Sequence, residues 1–182
     1  TNQYFNRGTC REIKESDYWG VIQAIKYLIT QEKTTYSSIT SEQALRLLSP
    51  HQFETLMFLI FINEGLFSPA WRAGSLPDVD IVAINYSRSK PIELGNPPIK
   101  FNKGEEIKFQ IKRKESQHIK NADYTVALTT PNCKQVNKHV LISEWIMNVV
   151  KEQPKTVEWL NHSLKCFLDY AVESSVFEMV KQ

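Results

Sequence analysis

Apolar positions recur at two periods along this chain, and the change from one to the other marks its elements. From Asp17, Tyr18, Val21, Ile22, Ile25, Leu28 and Ile29 follow the spacing of an amphipathic helix. Residues 1–14 lack periodicity and read as a lead-in, and 31–38 as a polar loop. Thr40 with Gln43, and Ser49 with Gln52, each match a capping box, so two helix starts are expected in close succession. Pro50 takes the first helical position of the second, where a missing N–H costs least, and Gly65 closes that helix after residue 64. The 50–64 helix is apolar nearly all round and is expected to be central.

The period then falls to two. Residues 66–67 read as a short strand and 68–75 as a loop, with 79–86 as a longer strand. Residues 87–104 hold Pro91, Gly95, Pro97, Pro98 and Gly104 and are expected to be irregular, either facing a partner or serving as a disordered connection. In 105–112 the alternation is clear. Ile107, Phe109 and Ile111 share one side, and Glu106, Lys108, Gln110 and Lys112 the other. A short helical turn at 115–123, strands at 124–130 and 139–142, a helix capped by Ser143, and a closing helix after Pro154 complete an α/β chain with a mixed sheet between helices.

Two of these strands carry polar groups that a sheet has no need for. If 79–86 and 105–112 pair as an antiparallel hairpin, the start of the first lies beside the end of the second. Asp80, Gln110 and Lys112 would then meet at one edge. A carboxylate, an amide oxygen and an ammonium together suit a divalent metal and an anionic substrate. Glu54, in the central helix, is either a buried carboxylate needing a partner or an exposed first-turn residue favoured by the helix dipole.

Composition narrows the classes. The 182 residues fit one domain, and a net charge of +2 does not by itself argue for nucleic acid. Its distribution says more: from Lys100 to Lys138 there are nine Lys/Arg and four Asp/Glu, giving +5 against −3 for the remainder. That segment is either a polyanion-binding surface or a solvated basic loop. The three cysteines, Cys10, Cys133 and Cys166, show neither disulfide nor zinc spacing, which favours a reducing, cytoplasmic setting. Four histidines lack metal-cluster spacing, no phosphate-loop motif signals a nucleotide cofactor, and no apolar run is long enough for a bilayer.

Pro77, Asp78, Val79 and Asp80, followed by Gln110, Ile111 and Lys112, resemble the PD-(D/E)XK nuclease superfamily, and most closely its Mrr-like branch, in which glutamine replaces the second acidic residue. The likeness extends over the helix with Glu54, Gly65, and Trp71 ahead of the acidic motif, covering roughly residues 48–130. It implies a restriction-endonuclease-like core, a single nuclease domain over 1–182 with an N-terminal helical part (1–48), a catalytic core (49–142) and C-terminal helices (143–182). It also implies catalytic Glu54, Asp80, Gln110 and Lys112, with Mg²⁺ (or Mn²⁺ in its place) on Asp80, Gln110 and the Ile111 carbonyl. The expected activity is hydrolysis of duplex DNA, as a type II-like restriction endonuclease acting as a homodimer. The N-terminal helices would serve dimerisation or minor-groove contact. Arg72, Arg113, Lys114, Gln117, Lys120 and Lys134 are the expected DNA contacts. The competing readings are a Holliday-junction or modified-DNA nuclease, a catalytically silent DNA-binding module of the same fold, and an α/β domain with no nucleic-acid role.

Overall fold

A computed structural model of the chain describes residues 15–33, 40–71, 77–86, 89–112, 121–129 and 139–171. Helix α1 (Glu15–Thr30) is followed by α2 (Ser41–Arg46) and α3 (Pro50–Asn63). Both expected capping boxes form. Thr40 Oγ1 accepts from Gln43 N at 3.2 Å while Gln43 Oε1 accepts from Thr40 N at 2.9 Å. Ser49 and Gln52 repeat the exchange at 3.2 and 2.8 Å. Each box satisfies two helix-end donors, so the chain turns from α2 into α3 within a few residues.

Strands β1 (Phe67–Trp71), β2 (Ile81–Ile84), β5 (Glu106–Ile111), β6 (Tyr124–Val126) and β7 (His139–Leu141) form one sheet in that order. The first three are antiparallel to their neighbours, while β6 and β7 continue parallel from β5. The fold is therefore α/β, with a mixed central sheet and flanking helices that include α4 (Ser143–Lys151) and α5 (Pro154–Ala171). The return from β5 to β6 spans residues 112–123, about the dozen that a parallel connection requires.

Four sequence expectations need correction. The strand expected over 124–130 is shorter: β6 ends at Val126, and the chain bends away from the ladder at residues 128–129. Residues 68–71 belong to β1 and are not a loop; Pro69 is tolerated because β1 is the edge strand and its register shifts between Phe67 and Ala70. Residues 87–104 are not irregular throughout: β3 (Ile92–Leu94) and β4 (Ile99–Phe101) make a separate hairpin. Its alternate residues Ile92, Leu94, Ile99 and Phe101 enter the main core. The fourth concerns α4, whose N-cap is Ile142; Ser143 is the first helical residue and its hydroxyl donates to Glu144 Oε2 at 3.1 Å.

One face of the sheet carries the core. Phe61 of α3 meets Phe101 and Phe109, at ring separations of 6.1 and 4.5 Å. From Phe109 the row continues across the strands through Tyr124 and His139. Burial, reinforced by the negative charges of Asp123 and then Glu105, raises the Tyr124 phenol above its ordinary value. The same apolar cluster takes in residues of α2, α3, α4 and α5, and Ala24 of α1 packs on it. Ile22 of the expected α1 stripe is half-buried, whereas Ile25, Leu28 and Ile29 are exposed. Trp145 of α4 is clamped over the β3–β4 turn, where its indole N–H donates to the Pro97 carbonyl at 3.0 Å.

Gly95 and Gly104 both have left-handed backbones, at φ 79° and 76°, but differ in surroundings. A Cβ on Gly95 would fall 2.3 Å from the Trp145 indole, whereas none of the structure lies within 4 Å of one on Gly104. Gly95→Ala should lower the unfolding free energy by about 2–4 kcal/mol, combining backbone strain with overpacking. Gly104→Ala should cost about 1 kcal/mol, from strain alone. Urea denaturation of the two variants measures the difference.

Candidate functional site

Of the expected site residues, Asp80, Gln110 and Lys112 are brought to one sheet edge, where β5 outlasts β2. Ile81 pairs with Phe109, so one step further Asp80 lies opposite Gln110. The Asp80 N–H still donates to the Phe109 carbonyl at 2.8 Å. Beyond it the chain leaves the ladder through the turn at Pro77 and Asp78, where Asp78 takes a left-handed φ of 63°. The Ile111 N–H thereby loses a backbone partner, and Asp80 Oδ2 accepts it instead at 2.6 Å. A charge-assisted bond of this kind is stronger than the amide bond it replaces. Strand geometry directs the Ile111 carbonyl to the same side of β5, past the end of β2.

Gln110 and Asp80 are cross-strand neighbours and so share the sheet face opposite Phe109. Gln110 is 1% exposed. Its Nε2 makes a long hydrogen bond, 3.5 Å, to Asp78 Oδ1, and its Oε1 is buried without a partner among the described residues. On the next strand Thr125 pairs in register with Gln110, is also 1% exposed, and has an equally orphaned Oγ1. Buried polar atoms are nearly always paired, so two side by side mark a place where water, an ion or a ligand belongs. The Pro77 carbonyl accepts from Asn121 Nδ2 at 3.0 Å, which ties the acidic turn to the segment entering β6.

Lys112 extends the β5 ladder, its N–H donating to the Val126 carbonyl at 2.9 Å. By alternation its side chain lies on the Gln110 face, where it is half-buried. Glu54 lies apart in sequence from this group, on α3. It is half-buried, with Oε2 3.6 Å from His51 Nδ1. That position falls between the two readings left open for it. Arg72, Arg113, Lys114, Gln117, Lys120 and Lys134 lie outside the described residues.

Asp80, Gln110 and Ile111 offer a carboxylate, a buried amide oxygen and a backbone carbonyl. This hard-oxygen set fits a magnesium ion, which needs one or two carboxylates and keeps several waters. The described residues contain no group of three or more His, Cys, Asp or Glu side chains, so the neutral oxygens would carry much of the coordination. Asp78 belongs to the acidic motif, where the resemblance favours Asp80 over it, and Thr125 is not singled out from sequence. The Asp-x-Asp spacing offered a signal for the first, but Thr125 required the strand register.

A separate open apolar cleft of about 580 Å³, lined by Gly65, Leu66, Phe67 and Tyr86, adjoins the opposite end of β2. Among the described residues no helix is long and apolar enough to cross a membrane. Comparison of the chain with protein-family models, with curated proteins and with solved structures gives no match.

The polar groups separate by their effect on stability. Gln110→Met removes an orphaned acceptor in a similar volume, and should leave the unfolding free energy unchanged or raised by up to about 1 kcal/mol. Asp80→Ala strands the Ile111 N–H and should cost about 1–3 kcal/mol, whereas Asp80→Asn keeps an accepting oxygen and should cost less. Chemical denaturation of the three variants checks the order.

Proposed function

We propose that this chain is a magnesium-dependent endonuclease that hydrolyses phosphodiester bonds of duplex DNA, with a restriction-endonuclease-like core and type II-like sequence specificity. The observation that carries the reading is the convergence at the β2–β5 junction. Asp80, the orphaned Gln110 Oε1 and the Ile111 carbonyl side of β5 come together there, with Lys112 on the same face. The order of elements supports it as well: a capped helix, an antiparallel pair bearing the acidic and Gln-x-Lys motifs, and then a parallel return.

Asp80, Gln110 and the Ile111 carbonyl would hold Mg²⁺, with Mn²⁺ as a substitute. The bound ion would supply a water acidified toward neutral pH and neutralise charge on the leaving oxygen. Lys112 stabilises negative charge gathering on the non-bridging phosphoryl oxygens, a role suited to an ammonium beside a partly excluded site. Asp80 is held rigidly because its backbone N–H and its carboxylate both bond to β5, so its free oxygen needs no reorganisation. Glu54, whose Oε2 lies 3.6 Å from His51 Nδ1, would act through a water or a second ion. Cutting both strands is simplest for two symmetry-related copies, and the exposed Ile25, Leu28 and Ile29 of α1 offer an apolar surface for such a homodimer.

A second reading, a silent DNA-binding module, draws on one specific feature: Asp80 already has a structural task in capping the Ile111 N–H. Cleavage separates the two. Plasmid or phage DNA incubated with the protein should give discrete fragments with Mg²⁺ and none with EDTA. Asp80→Asn and Lys112→Ala should each lower the cleavage rate by at least about a hundredfold while leaving DNA affinity within a few-fold of wild type. DNA that stays intact with the wild-type protein, but shifts equally on a gel with and without metal, would select the silent module.

A further inference from the structure

Gln110 is held at one end and orphaned at the other, and the two ends ask different things of their neighbours. Its Nε2 faces the Asp78 carboxylate at 3.5 Å. The reverse amide orientation would set Oε1 against a carboxylate oxygen, two acceptors with no proton between them, so Asp78 fixes which end is which. Asp78 holds an unusual backbone to do so, φ 63° without being glycine. The turn is secured on both sides of it, by Asn121 on the Pro77 carbonyl and by the burial of Val79 at 3% exposure.

Thr125 is the register partner of Gln110 on the adjoining parallel strand and shares its sheet face. Neither Thr125 Oγ1 nor Gln110 Oε1 has a hydrogen-bond partner among the described residues, so the two do not bond directly. Neighbouring strands lie about 4.8 Å apart, a spacing at which two such oxygens are matched to one water between them. Two orphans at one register position are accounted for by a single cause.

We propose that Asp78 and Thr125 are positioning residues for the Gln110 amide, a proposal that rests on the metal-site reading of Asp80 and Gln110. Asp78 holds Nε2 directly. Thr125 holds one lone pair of Oε1 through a shared water, leaving the second lone pair for the ion. Gln110 then meets the metal with its oxygen already oriented, as outer partners orient ligands in other metal sites.

The test is Mn²⁺ binding to the full-length protein without DNA, followed by the electron paramagnetic resonance signal of the free ion, with melting temperature measured in parallel. Thr125→Val should bind Mn²⁺ about tenfold more weakly without a lowered melting temperature, and Thr125→Ser should restore affinity. Asp78→Gly, whose backbone accepts a left-handed φ without strain, should also lose about tenfold, and Asp78→Asn, which keeps an acceptor, should recover most of it. Wild-type affinity in both Thr125→Val and Asp78→Gly, with binding abolished in Asp80→Ala, would overturn the positioning role and leave the metal site standing. Failure of the wild-type protein to take up millimolar Mn²⁺ would overturn both.

Discussion

The bond from the Ile111 N–H to Asp80 Oδ2 settles a conflict in the sheet. β5 is longer than β2 at this end, and a buried backbone donor cannot be left without an acceptor at modest cost. An extension of β2 would satisfy the donor but bury the site under another ladder rung. A carboxylate in its place satisfies the same donor, ends the pairing, and brings a negative charge to the boundary between sheet and turn. The left-handed Asp78 and the fixed Pro77 carbonyl follow from the same choice, since the chain must leave β2 sharply once Asp80 has replaced the backbone.

The two faces of β5 divide the labour. Phe109 stacks toward Phe61 on one side and Tyr124 on the other, so the core holds β5 and β6 at fixed spacing. Gln110 projects the opposite way; that packing sets its place on the strand, and the long 3.5 Å contact from its Nε2 to Asp78 sets only which way its amide faces. A site placed in this way on interior strands is positioned by the core, while the exposed cleft beside Phe67 and Tyr86 lies at the edge of the sheet, among the turn before β1 and the end of β2.

Much of the framework was legible in the sequence because its signals are local. Thr40 and Ser49 announced their helices through residues three positions away, and the alternation of Ile107, Phe109 and Ile111 named the buried side of β5. The errors arose where a tertiary partner overrides local chemistry. Pro69 reads as loop until an edge position and a register shift accommodate it. The hairpin at β3 and β4 is hidden because each strand is only three residues long, with prolines and glycines crowding the motif, yet Phe101 reaches the centre of the core. Ile25, Leu28 and Ile29 show the opposite error: helical spacing predicts an apolar stripe without saying what it meets. At the site, Asp80 and Gln110 could be paired from strand logic, but Thr125 depends on the parallel register, which no local pattern encodes.

Stability alone gives no reason for Gln110 and Thr125. A methionine at 110 and a valine at 125 would fill similar volumes without leaving Gln110 Oε1 and Thr125 Oγ1 buried and unpaired. The neighbouring positions on their face, Val82 and Ile84, are apolar and buried, so the environment accepts such side chains. Asp80 differs, because it satisfies a backbone donor and would be explained by folding even without chemistry. The neutral residues are thus harder to account for by folding than the charged one. A carboxylate at a strand end has a structural use, whereas an amide oxygen and a hydroxyl at one register position, buried and without partners among the described residues, have none that folding supplies.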